Sequence, residues 1–108
     1  MTVVHRRRQA QDDIQLAADY YFREGGAKLE LRFIGAVEAA IQHVAAHPAS
    51  GSPRYADSLS TPGLRCRPVK GFPYLVFYIE RVAQVDVWRV LHKQRDIPAW
   101  MQDREQGS

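Results

Sequence analysis

An α+β fold in the order β-α-α-β-β-β follows from three features of the sequence: two stretches of helical apolar periodicity, a central segment rich in proline, glycine and serine, and three β-rich runs after it. Helices and strands that come in separate blocks pack as a helical layer on one side of an antiparallel sheet. At 108 residues the chain has room for one core, so residues 1–108 form a single domain.

The first element is a short strand over Thr2 to Arg7, where Thr2, Val3 and Val4 are β-branched. Helical spacing follows. Ala10, Ile14, Ala17, Ala18 and Tyr21 recur at intervals of three and four, while Asp12, Asp13 and Asp19 supply a wet side. Gly25 and Gly26 stop that helix. A second helix starts near Ala27 and carries the stripe Leu29, Phe33, Ala36, Val37, Ala40, Ile41 and Val44, ending before Pro48. Two helices joined by a glycine turn form an antiparallel hairpin.

Pro48 to Gly63 has the composition of a surface loop. Beyond it, Leu64 to Val69, Phe72 to Glu80 and Gln84 to Leu91 read as a three-stranded antiparallel meander, broken at Lys70-Gly71 and at Arg81-Val82-Ala83. The middle run, Tyr74 to Ile79, is apolar on both faces. The helix pair covers one face, and the other is expected to stay open as a docking surface for a partner. A short helical turn is expected over Arg95 to Gln102.

Composition narrows the class of protein. With 45% hydrophobic and 25% charged residues the chain is an ordinary globular sequence, and no apolar run approaches the length needed to cross a bilayer. Arg6, Arg7 and Arg8 are not followed by an apolar signal core, so the expected location is the cytoplasm. The lone Cys66 forms no internal disulfide and is expected to be a small buried hydrophobe. No Cys or His cluster has structural zinc spacing, and no cofactor or metal is expected; His43 and His47 share a helix face but lack a third ligand.

The net charge of +3 is unevenly spread. Residues 9–47 carry three basic against six acidic groups, whereas residues 64–95 carry seven basic against two. A basic half favours an anionic partner, either nucleic acid or an acidic protein segment. Arg6 to Arg8 is either a nucleic-acid arm or a charged guard on an edge strand.

Several short stretches resemble a known family. Ala10, Asp13-Ile14 and Ala18-Asp19-Tyr20 are similar to the first helix of the RelE/ParE superfamily of type II toxin-antitoxin toxins. Val44 to Pro48 with Gly51 and Pro53-Arg54 is similar to its helix exit, and Gly63-Leu64-Arg65, Pro68-Val69, Tyr74 to Tyr78 and Arg89 to Ile97 follow in the family's order. The resemblance spans about Val3 to Ile97 and implies a small toxin neutralised by a cognate antitoxin protein. ParE-like members poison DNA gyrase, and RelE-like members cleave mRNA in the ribosome.

A metal-free ribonuclease needs a base, an acid and a cluster of cations around the phosphate. The candidates here are His92 for proton transfer and Arg65, Arg89 and Arg95 as phosphate clamps. The set is short of a late catalytic tyrosine, which RelE-like nucleases usually carry, because no tyrosine follows Tyr78. Arg89 and His92 also begin on opposite faces of a strand, being an odd number of residues apart. The ParE-like reading is therefore preferred, a gyrase inhibitor with no catalysis of its own. Arg65, Arg67, Tyr74, Tyr78, Arg89, Arg95 and Trp100 are its candidate target- or antitoxin-binding residues. The structural alternatives are an ion pair of Arg89 with Asp96 or Asp86, a hydrogen-bonded His92, and packing roles for Trp88 and Trp100.

Overall fold

The computed structural model describes residues 2–97. Strand β1 (Val3–Arg6) leads into the helical segment α1 (Arg8–Ala46) and a 3-10 turn at Pro48–Ser50; strands β2 (Leu64–Pro68), β3 (Tyr74–Arg81) and β4 (Gln84–His92) follow. Within α1 a single residue, Gly26, leaves helical geometry, at φ 78° and ψ −170°. A straight helix of these 39 residues would be about 58 Å long, yet the longest dimension of the molecule is 38 Å. The segment therefore doubles back at Gly26. Tyr21 and Phe33, about 18 Å apart on a straight helix, bring their ring centroids within 5.0 Å of each other. The glycine pair thus makes the helical hairpin, at a backbone conformation that a Cβ would strain.

The first arm buries Ala10, Ala17 and Ala18, and the second buries Phe33, Val37, Ala40, Ile41 and Val44. These side chains pack on Val76, Tyr78, Val85, Val87 and Val90 of the sheet. Small residues on the first arm let its backbone approach the strands closely, while the larger stripe on the second fills the remaining depth.

The four-stranded sheet has the order β1-β4-β3-β2. The meander pairs antiparallel as expected, but β1 lies beside β4 and parallel to it, with Val3 opposite Gln84 and Arg6 opposite Val87. A parallel neighbour requires a long crossover, which the helical hairpin and the meander together provide. In β4 the register shifts where Phe77 faces Arg89 and Tyr78 faces Val87. That shift leaves Trp88 as the extra residue of a bulge. It allows Val87 and Val90, three apart, to face the same helical layer.

The expectation of an open apolar face is corrected. Leu64, Cys66, Leu75, Phe77, Ile79 and Leu91 form a second core, closed by Leu59 with Tyr55 and Ala56 from the central loop and by Ile97. The loop can lie on an apolar surface because it satisfies its own backbone: Ala56, Leu59 and Thr61 amides donate to Pro53, Tyr55 and Ala56 carbonyls. Phe77 has no exposed surface at all. The outer edge of β2 is also occupied, since Ser52 and Cys66 exchange backbone hydrogen bonds there and Pro68 has no N–H to offer. The helical turn expected over residues 95–102 lies mostly outside the described residues.

Candidate functional site

The candidate residues separate into two places. Tyr74, Arg89, His92 and Arg95 lie where β3 begins and β4 ends, while Arg65 and Arg67 lie on β2. Register puts Arg65 opposite Tyr78 and His92 opposite Tyr74, so Arg65 stands two strands across and, counted along β3, four residues along from His92. Their Cα atoms are thus roughly 17 Å apart. Trp100 lies outside the described residues.

Arg89 pairs with Asp13, and the Asp96 carboxylate adds a smaller favourable field. Its Nε and Nη2 donate to the two Asp13 oxygens at 2.8 and 2.9 Å, and the Val90 amide donates to Asp13 Oδ2 at 3.0 Å. Strand β1 has ended beside Val87, whose carbonyl accepts the Arg7 amide. Asp13 takes over the next donor along that edge and so ties the first arm of α1 to β4. The paired carboxylate holds the Arg89 guanidinium above its usual range, against the opposing effect of burial.

His92 is built into a turn. Its Nδ1 accepts from the Gln94 and Arg95 amides at 3.1 and 3.2 Å, and its own amide donates to Asp96 Oδ2 at 2.9 Å. An imidazole nitrogen that accepts is unprotonated, so the neutral ring with its proton on Nε2 fits this turn. Partial burial and then the nearby Arg95 lower its affinity for a proton further, with Asp96 opposing. Register keeps Arg89 opposite Phe77 and His92 opposite Tyr74, on opposite faces of the sheet.

Between the first arm and the end of β4 there is a cleft of about 260 Å³ lined by Asp13, Leu16, Tyr20, Arg23, Tyr74 and Arg95, among others. Arg95 lies 5.4 Å from the centre of the Tyr20 ring and donates to the Tyr74 hydroxyl at 3.3 Å. Leu16 and Tyr20, one helical turn apart, stay exposed at its rim. Both are apolar-bodied residues outside the buried stripe, and that displacement is the sequence signal by which the cleft was detectable.

Tyr78, a predicted contact residue, is fully buried. Its hydroxyl accepts from the Gly51 amide at 2.9 Å and donates to the Pro48 carbonyl at 2.7 Å. Arg65 Nη1 donates to the Gly51 carbonyl at 2.7 Å. These two side chains clamp the helix exit onto β2 and β3, and Tyr78 has no surface to present to a partner. Tyr74 is likewise buried, with its ring 5.3 Å from that of Phe33.

A third cluster, absent from the sequence expectations, secures β1. Asp86 is buried in β4 and accepts from Arg7, His5 and the Trp88 indole, with the Arg7 guanidinium 4.1 Å from the Trp88 ring. Arg6 forms a two-pronged pair with Glu38 of the second arm, at 2.6 and 2.7 Å. Arg6 and Arg7 thereby act as internal ties, and the reading of residues 6–8 as a free nucleic-acid arm or edge guard is narrowed to Arg8, which is exposed.

A mixed four-stranded sheet carrying a helical hairpin on one face and a loop on the other defines a small α+β protein whose arginines work mostly as structural ties. The chain belongs to the ParE toxin family of the parDE type II toxin-antitoxin system, whose family model matches residues 4–97. Among solved structures it is similar to one described as the chromosomal ParDE toxin-antitoxin system from P. aeruginosa. The TM-score is 0.72 at 16% identity, covering 85% of this chain and 96% of that one. No curated protein sequence matches the chain.

Proposed function

We propose that the chain is the toxin of a parDE pair, that it acts in the cytoplasm by inhibiting DNA gyrase, and that a cognate antitoxin neutralises it. The observation that supports gyrase over mRNA cleavage is the dispersal of the nuclease candidates. Arg89 is engaged by Asp13, His92 uses its Nδ1 lone pair to hold a turn, and Arg65 is tied to Gly51 on another strand. General acid-base chemistry needs a donor, an acceptor and a cation converging on one phosphate. A binding protein needs no such convergence.

The test is direct. Purified chain added in molar excess to gyrase, ATP and relaxed plasmid should arrest supercoiling or trap cleaved DNA. Unchanged supercoiling, together with cuts at defined codon positions in translated transcripts that vanish in His92→Ala, would replace this reading with the ribosomal one.

A further inference from the structure

The turn that follows β4 is closed by a group that loses its role when it gains a proton. His92 Nδ1 accepts from the amides two and three residues on, those of Gln94 and Arg95, while Asp96 Oδ2 accepts from the His92 amide. This is the reciprocal arrangement by which a side-chain acceptor caps the start of a helical turn and an acidic side chain reaches back to the capping residue. The usual caps present an oxygen whose lone pairs are available throughout the neutral range. An imidazole differs, because protonation places a hydrogen on both ring nitrogens and no rotation of the ring then restores an acceptor. The closed turn positions two side chains. Arg95 Nη2 donates to the Tyr74 hydroxyl at 3.3 Å, and Ile97, only 2% exposed, joins Leu91 and Phe77 in the second core. The Lys93 amide donates to the Pro73 carbonyl at 2.9 Å, so the chain is anchored up to that point and the hinge falls just beyond it.

We infer that His92 is a proton-operated latch: neutral, it caps the turn and holds Arg95 and Ile97 in place, and protonated, it releases the turn and uncovers part of the second core. The groups around the ring set its working range. Lys93, Arg95 and Asp96 belong to the turn itself, Tyr74 of β3 meets the imidazole edge to face with centroids 5.2 Å apart, and Tyr20, Arg23 and Asp13 of the first arm line the cleft beyond Arg95. Asp13 is already paired with Arg89. Burial, foremost, keeps the Tyr74 phenol protonated beyond its ordinary range, so it brings no charge. Asp96 favours the imidazolium, but partial burial and then Arg95 outweigh it and lower the affinity of His92 for a proton. A folded value below the unfolded one of about 6.5 means that the latch is closed above that pH and weakens as pH falls, its opening equilibrium rising by up to about tenfold per pH unit. The Asp86 and Glu38 carboxylates, both lowered from values near 4, stay ionised through this range.

Nuclear magnetic resonance of the full chain between about pH 7.5 and about pH 4.5 tests the latch above the range of the carboxylates. At the upper end the His92 ring should be the Nε2–H tautomer. On acidification its midpoint should lie below about 6.5, and the Gln94 and Arg95 amides and the Ile97 methyl groups should shift with that same midpoint while Val76 and Tyr78 of β3 hold. His92→Asn supplies a cap that does not titrate, so its turn should stay closed across the range. His92→Ala should show at neutral pH the Ile97 signals that the parent reaches only in acid. A ring found as the Nδ1–H tautomer, or titrating at or above about 6.5, overturns the inference. So does protonation that leaves the Ile97 methyl groups unmoved, or an acid response of the turn that survives in His92→Asn.

Discussion

The contact between Tyr78 and Gly51 illustrates how one side chain can fix a chain path. The phenol answers both the Gly51 N–H and the Pro48 C=O at the helix exit. A Cβ on Gly51 would run into the Tyr78 hydroxyl and ring, so glycine is required here by space. Tyr78→Phe should therefore destabilise the fold by about 1–3 kcal/mol, since it strands two buried polar groups while keeping the ring. Gly51→Ala should cost at least as much, because the collision is with a fully buried ring that has no room to retreat. Chemical denaturation of each variant checks both, and Gly51→Ala unfolding at the parent's midpoint would contradict the clamp. The sequence shows Gly51 and Tyr78 separately. Their meeting depends on the exit turn and the register of β3, which no local pattern encodes.

At the scale of elements, legibility followed the length of each pattern. The hairpin of α1 was readable because its two apolar stripes cover many turns and Gly25-Gly26 interrupts them. The meander was readable from β-branched runs and glycine turns, although Val82-Ala83 carries no turn glycine and Ala83 adopts φ 55°. The parallel placement of β1 was not readable, since four residues cannot announce a neighbour that lies some eighty positions away. It is held instead by charge. Burial would raise the Asp86 carboxyl, yet hydrogen bonds from Arg7, His5 and Trp88 overcome that and leave it below its ordinary value. The Glu38 carboxyl is lowered too, chiefly by its hydrogen bonds from Arg6. Carboxylates with depressed affinity for protons contribute stability above their unfolded pKa of about 4 and lose it as pH falls through the folded value. Acidification below about pH 4 should therefore loosen β1 first. Amide exchange at Val3 and Arg7, which donate to the Ala83 and Val87 carbonyls, should accelerate at acid pH before that of β3, and Asp86→Asn should blunt the pH dependence. Uniform acceleration across all four strands would contradict the assignment of this sensitivity to β1.

On the scale of the whole molecule, the loop from Pro53 to Gly63 changes what the toxin requires of its partner. An open apolar sheet face would have made the chain dependent on an antitoxin for a finished core. Leu59, Tyr55 and Ile97 supply that cover internally, so β3 is sandwiched between two cores and Val76, Phe77 and Tyr78 have no exposed surface. Isolated apolar residues in a serine- and proline-rich loop give no periodic signal, which is why the second core was invisible in the sequence. The free toxin should accordingly fold alone, with one cooperative transition. A ligand that binds only the native state then raises stability by mass action and leaves the core unchanged. Hydrogen exchange distinguishes the cases. In the free toxin, amides of Val76 and Phe77 should exchange only through global unfolding, at the slow limit set by total stability. Adding antitoxin should slow them further in proportion to its concentration and affinity. Rapid exchange of those amides in the free chain, with protection appearing only in the complex, would show that the partner completes the core after all.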